Sequence, residues 1–392
     1  MRPLPTALVA LCSVAALPAQ QTPPLVIEVG RAWLEPGKPI ERPRFVIEVG
    51  RIRDVATWKE GQDAAGAERF AGAVATAGFV DLHRLAKDQG ELGEKAESLT
   101  PELRLDRAYD PFDPEWKRSL AKGVTSFVLA PAHDSLSGGQ AIWVTNGLVP
   151  EPDQAPSYIG FSLTKEIQGR DRRPTSLIGA LDYLREGYRR LRSSTPRRLD
   201  PTEQALASTL DGAVKVGFVC AQADEVLGAM TLAEELRLEG TIFLGDSRGR
   251  FVRRDVEELL PKLRESGLGV ALPCLSLRSD PEDRALPAEL DRAGIRFAFW
   301  CPAVERGDVE GFQWTLAASV RRGLDPARAL AAVTSVPASW AGVGDVVGTL
   351  YKGRQADLCV WSGDPWDLRS RLLLVVRKGE VVWRPRAEEA VR

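Results

Sequence analysis

Between residues 78 and 333 the chain alternates two kinds of stretch, and this alternation limits its architecture more than any other feature. Short apolar runs of strand length occur at 78–83, 124–130, 140–145, 213–220, 241–245, 269–274 and 295–301. Stretches with an apolar residue every three to four positions fall near 114–122, 176–192, 202–211, 223–238, 252–266, 286–293, 311–322 and 326–333. A strand followed by a helix returns parallel to the strand before it, so this many units predict an α/β chain whose parallel sheet closes into a (β/α)₈ barrel. Asp113-Pro114, Asp200-Pro201 and Asp325-Pro326 mark three helix starts, each an N-cap followed by a proline that needs no amide partner. The segment 150–174 is Pro- and Gly-containing and weakly periodic, and is expected to be a long loop over the barrel mouth.

Both ends of the chain have a different texture. Val26-Ile27-Glu28-Val29-Gly30 and Phe45-Val46-Ile47-Glu48-Val49-Gly50 are near copies with strand alternation, so residues 25–76 predict a small antiparallel sheet. Strands recur at 356–361, 372–376 and 380–383, the last two around a Lys378-Gly379 turn. Strands at both ends of an α/β middle suggest one composite sheet domain. The expected organisation is a leader at 1–19, the first part of the sheet domain at 20–76, the barrel at 77–340 and the second part of the sheet domain at 341–392.

The leader is expected because Arg2 precedes an apolar run from Ala7 to Leu17, and Leu17-Pro18-Ala19 offers a cleavage site before Gln20. The run is too short to span a bilayer comfortably, so the expectation is a periplasmic or secreted protein with no membrane association after cleavage. A net charge of −2 gives no reason to expect nucleic acid as a partner. Cys220, Cys274, Cys301 and Cys359 all lie in apolar, strand-like runs, where buried free thiols are the expectation. Whether Cys220 and Cys301 pair is left open by the sequence.

The stretch Thr76-Ala77-Gly78-Phe79-Val80-Asp81-Leu82-His83-Arg84-Leu85 resembles the first-strand signature of the metal-dependent amidohydrolases, P-G-h-I-D-x-H-x-H, with Ala77 for the proline and Leu85 for the second histidine. Ala121-Lys122-Gly123-Val124-Thr125-Ser126, Ser137-Gly138-Gly139-Gln140 and Ala223-Asp224-Glu225 are similar to later segments of the imidazolonepropionase-like members. The fullest match is Gly348 to Trp361, which reads G-x-L-x-x-G-x-x-A-D-L-x-x-W, followed by Gly363-Asp364-Pro365 and Lys378-Gly379-Glu380.

The resemblance implies a zinc or similar ion held at barrel strand ends, where hydrolysis needs about three protein ligands and an open position for water. Carried over residue by residue, only His83 is kept. Leu85 replaces the second histidine, Thr145 the bridging lysine, Val219 and Ala221 the histidines of the next ligand strand, Gly245 a further histidine, and Pro302 the final aspartate. His83 and His133 are the only two histidines in the chain, which excludes a four-histidine site by count. A rebuilt site could draw only on Asp81, His83, Cys220, Cys301 and His133 with Asp134. The cysteines sit one residue from the former ligand positions, and one step along a strand turns a side chain to the other face. His133, on a loop after the second strand, is expected to be solvated. His83 is expected to pack in the barrel, with Asp81 as its partner or as a capping group, and Trp143 and Trp300 to fill emptied space. Ser135, Ser137 and Gly138-Gly139 could cradle an anion, but no P-loop, dinucleotide fingerprint or G-x-S-x-G elbow is present.

The resulting expectation is an exported amidohydrolase-fold protein that is catalytically inactive and has no resident cofactor. It would act by binding a small molecule, by pairing with an active paralogue or by self-association. The alternative is a hydrolase of non-peptide carbon–nitrogen bonds with an atypical site around His83 and Asp81, using zinc or a similar divalent metal or no metal.

Overall fold

The computed structural model describes residues 23–61, 64–85, 93–94, 96–169, 172–191, 198–277, 279–302 and 311–386. The leader expected at 1–19 lies outside these residues. The chain begins with five strands, β1 (Leu25–Glu35), β2 (Lys38–Glu41), β3 (Pro43–Glu48), β4 (Arg51–Thr57) and β5 (Glu68–Ala77). β1, β3 and β4 pair antiparallel, as the alternation predicts, but β5 runs parallel to β1 with Ile27 opposite Glu68 and Ala32 opposite Ala75. The sheet is therefore mixed, and the expectation of a purely antiparallel one is corrected. The chain between β4 and β5 carries the backbone back to the start of β1, and alternation alone does not encode strand direction.

β5 passes through Gly78 directly into the barrel. A Cβ at Gly78 would lie 2.1 Å from Thr125 Oγ1, so only glycine allows the sheet and barrel to approach this closely. The barrel strands are β6 (Phe79–Leu85), β7 (Val124–Ala130), β8 (Gly139–Thr145), β9 (Tyr158–Ser162), β10 (Lys215–Cys220), β11 (Gly240–Leu244), β12 (Gly269–Pro273) and β13 (Phe297–Trp300), hydrogen-bonded in sequence order. β8 is antiparallel to both of its neighbours; the other adjacent pairs are parallel. The first and last strands meet at a seam, where the Cys301 amide donates to Asp81 Oδ1 at 3.0 Å.

Two sequence expectations are corrected here. The segment 150–174 is not one long loop, because β9 and a short 3-10 turn at Lys165–Ile167 lie within it. Tyr158-Ile159-Gly160-Phe161-Ser162 is buried throughout and carries no polar–apolar alternation, because both its faces are covered. The antiparallel course of β8 also follows a short turn that needs no crossover helix.

Helices cover the outside of the barrel, and the three Asp-Pro starts are used as predicted. Asp113 and Asp325 accept backbone amides of the first turn, and Asp200 forms a reciprocal capping box with Glu203. An outer core lies between strands and helices and includes Phe161, Phe218, Leu232, Val270 and Phe299. A separate inner core fills the barrel with Leu82, Val128, Tyr158, Val219, Phe243 and Trp300.

The last strands, β14 (Leu358–Trp361), β15 (Leu372–Arg377) and β16 (Glu380–Trp383), complete the first sheet, in which β14 pairs antiparallel with β5. Lys378 and Gly379 both have positive φ, 47° and 80°, in the tight turn between β15 and β16. Asp357, buried where this sheet meets the barrel, accepts the Lys378 amide at 2.6 Å and Gln355 Nε2 at 3.2 Å. Burial pushes its carboxyl up to about 6. Among the described residues no helix is long and apolar enough to cross a membrane.

Candidate functional site

The register of β6 against β7 slips between Asp81 and Arg84. This irregularity lets Leu82 and His83, consecutive residues, both contribute to the barrel interior. His83 is fully buried, its ring centred 4.4 Å from Phe243 and edge-on to Trp300 at 5.0 Å. Both ring nitrogens are engaged: Nδ1 with the Tyr158 hydroxyl at 2.6 Å, and Nε2 with His133 Nε2 at 2.7 Å. His133 is only 3% exposed, so the expectation of a solvated loop histidine is corrected. The turn after β7 folds back across the strand ends, and the other His133 nitrogen, Nδ1, lies 3.8 Å from Glu166 Oε2. Glu166 is held in turn by the Ser247 amide at 3.0 Å.

Burial dominates the protonation of this chain of groups. It lowers His83 well below the ordinary histidine range, helped by His133, and lowers His133 to about 4. Burial also raises the Tyr158 phenol well above its ordinary value. All three are neutral at pH 7, so the His133–Glu166 contact is a dipole–carboxylate contact and not an ion pair. The carboxylate selects the hydrogen positions, because an N–H at His133 Nδ1 faces it favourably and a bare lone pair does not. Tyr158 O–H then donates to His83 Nδ1, and His83 Nε2–H donates to His133 Nε2. The result is a hydrogen-bonded line from Tyr158 through His83 to His133, whose outer nitrogen makes no hydrogen bond and lies 3.8 Å from the Glu166 carboxylate.

Asp81 is fully buried and does not touch the His83 ring. Its Oδ1 accepts the amides of His83 at 3.3 Å and Cys301 at 3.0 Å, and Arg84 Nη1 lies 3.5 Å from Oδ2. Burial raises its carboxyl, and Arg84 opposes that rise. Of the two roles predicted for Asp81, capping the backbone is the one it has.

The other carried-over positions are built into the fold. Leu85 is buried beside Ala130. Thr145 is paired with Ser126 and lies 3.4 Å from Gln355 Nε2, at the opposite end of the barrel from His83, because β8 runs antiparallel. It therefore does not occupy a strand end at the mouth, and that placement of the bridging lysine's equivalent is corrected. Val219 lies in the inner core, and the Ala221 amide donates to Glu225 at 2.6 Å. Gly245 has φ +114°, and a Cβ there would fall 2.9 Å from the Gly249 backbone. Pro302 packs against Gly249 from the other side. Cys220 and Cys301 belong to the outer core, turned away from the interior. Asp134 is tied in through its carbonyl, which accepts from Arg172. Ser135 donates to the Glu94 carbonyl at 2.6 Å. Trp300 fills the interior, and Trp143 packs near Val80, Ala338 and Val347.

These residues do not fit a catalytic zinc. Two nitrogens on one tetrahedral zinc lie about 3.3 Å apart, given bonds of about 2.0 Å. The 2.7 Å between the histidine nitrogens is a hydrogen-bond separation. Val219, Ala221, Gly245 and Pro302 offer no side-chain donor, and among the described residues no group of three or more His, Cys, Asp or Glu could hold a metal ion.

Tyr158 and Glu166 complete the line of groups, and sequence reading missed both because they lie in the segment expected to be a loop. The available signal was the strand-length apolar run after Pro156, closed by Ser162.

A (β/α)₈-type barrel carrying a sheet built from both chain ends is the amidohydrolase architecture. The sequence model of the amidohydrolase family matches residues 229–383. Amidohydrolase tasK of Hapsidospora irregularis is 22% identical over 344 residues, covering 74% of this chain and 34% of that protein. The chain thus spans about a third of the length of this curated relative. An amidohydrolase from Thermotoga maritima superposes with a TM-score of 0.78 at 21% identity, over 92% of this chain and 100% of that one. A prolidase complexed with N-methylphosphonate-L-proline gives 0.57 at 17% identity, over 92% and 100% of the two chains. Residues 229–383 thus resemble the amidohydrolase family in sequence, and the chain as a whole shares the fold of the solved amidohydrolases.

Proposed function

We propose that this protein is an exported, periplasmic or secreted amidohydrolase-fold protein that does not carry out metal-dependent hydrolysis, and that it works by association with an active paralogue or with itself. The carrying observation is that His83, the one retained ligand residue, has both ring nitrogens committed to Tyr158 and His133 inside an aromatic cage. The loop after β11 supports the reading, because Gly245 sits where a histidine side chain has no room. The interior is filled by Val219, Phe243 and Trp300, which favours association over a small molecule held inside the barrel. Losing even the supporting partners of a metal ligand weakens such sites by about 10–100-fold, and here the ligands themselves are substituted.

A second reading has its own observation. The line Tyr158–His83–His133–Glu166 could pass a proton between the interior and the surface, which suits a carbon–nitrogen hydrolase with an atypical site.

Metal analysis tests the first reading, and an activity assay the second. Purified without chelator or histidine tag, the protein is expected to hold zinc, iron and manganese at well under about a tenth of an equivalent, and not to gain them on addition. One tightly held equivalent would sink the first reading. Turnover of amide or cyclic amide substrates that disappears in His83→Ala would establish the second.

A further inference from the structure

The four described cysteines are not equivalent. Cys220 is fully buried in the outer core, and Cys359 Sγ donates to the Gly123 carbonyl at 3.4 Å. Cys274 and Cys301 instead face each other, Sγ to Sγ at 2.9 Å. Their meeting follows from the ladder: Pro273 is opposite Trp300, and the Cys274 amide donates to the Trp300 carbonyl at 2.7 Å. The two cysteines are the next cross-strand neighbours, one residue beyond the ends of β12 and β13. Adjacent strands lie about 4.8 Å apart, inside the range of Cα separations of about 4.4–6.8 Å that a disulfide spans. The backbone therefore need not move for the sulfurs to bond.

Access is one-sided. Cys301 is 5% exposed, whereas Cys274 is partly open to solvent. Lys122 lies close to both thiols, and Arg84 partly opposes the rise that Cys274 and burial impose on Cys301. Burial and the neighbouring thiol hold Cys301 protonated at rest, which leaves Cys274 as the group that meets a reagent first.

We propose that Cys274 and Cys301 form a redox-active dithiol that reacts with a soluble disulfide and closes to an intramolecular disulfide. Cys274 gives up its proton and attacks one sulfur of the external disulfide. That S–S bond breaks, and one thiolate leaves and is protonated. Cys301 then loses its proton and attacks Cys274 Sγ, expelling the second thiolate, which is protonated in turn. The two cysteines lose two electrons and two protons, and the external disulfide gains both as two thiols. The new bond fixes β13 to β12 beside the seam, where the Cys301 amide already holds Asp81 of β6.

The test is thiol mapping of the intact chain. The protein is incubated folded with oxidised glutathione, quenched in acid, unfolded, alkylated and digested. The expected product is a linked pair of peptides carrying Cys274 and Cys301, with Cys220 and Cys359 alkylated. Oxidation should also raise the thermal midpoint by several degrees, a shift that dithiothreitol reverses and that Cys274→Ser abolishes. Alkylation of both Cys274 and Cys301, a glutathione adduct that stays on Cys274, or a link from either to another cysteine would each overturn the proposal. The mapping uses the unaltered protein, so it decides the matter even if a variant does not fold.

Discussion

At Tyr158 a single hydroxyl decides how a buried imidazole is satisfied. It donates to His83 Nδ1 at 2.6 Å, and with His133 on the other nitrogen the ring has no unmet partner. Tyr158→Phe keeps the ring's shape and leaves His83 Nδ1 a buried acceptor without a donor. The expected cost is about 1–3 kcal/mol, measured as a lower denaturant midpoint with an unchanged slope. An unchanged midpoint would mean that the hydroxyl is not part of the line. His83 stood out in the sequence because the residues around it match a strand-end signature. Tyr158 did not, and His133 was expected to be solvated, because hydrogen bonds between residues 75 and 50 positions apart leave no local pattern. Asp81 was legible only in part: its burial followed from the apolar run, but its use as a cap across the seam depended on where β13 ends.

Among the elements, β6 and the loop after β11 do most to shape the site. The slip in β6 turns two consecutive side chains inward, and the loop at Gly245 closes against Gly249. Gly245→Ala places a Cβ 2.9 Å from backbone at a φ of +114°. The expected loss is about 1–3 kcal/mol, read as a lower thermal midpoint. Gly245→His, which restores the residue of the family pattern, is expected to lose at least as much and to bind no zinc in calorimetry. A stable histidine variant that takes up zinc would show that the loop can reopen. Helix starts were the most legible elements, since Asp113-Pro114, Asp200-Pro201 and Asp325-Pro326 combine a side-chain cap with a fixed φ. The directions of β5 and β8 were not legible, because an alternating strand looks the same in either sense. β9 escaped notice because, covered on both faces, it has no alternation to show.

For the molecule as a whole, two buried groups give stability opposite dependences on pH. His133 is lowered to about 4 in the fold, so between there and its ordinary value near 6.5 the unfolded chain binds more protons and stability rises with pH. Asp357 is raised to about 6 from 3.8, so across that window the folded chain binds more protons and stability falls as pH rises. Each contribution is on the order of 3 kcal/mol at full extent, and they oppose one another between about pH 4 and 6. Asp357→Asn removes the falling contribution, so its denaturant midpoint should climb more steeply with pH than that of the unaltered protein. Parallel profiles would exclude a raised Asp357. The sheet that holds Asp357 also sets an order of events during synthesis. β14 is the neighbour of β5, and Trp361 Nε1 reaches Thr76 Oγ1 across 285 positions of sequence. Until the ribosome has released that final stretch, every barrel strand can be in place while β5 still presents a bare edge of amides and carbonyls. Between the synthesis of β13 and that of β14 the completed barrel therefore carries an edge open to pairing with another chain.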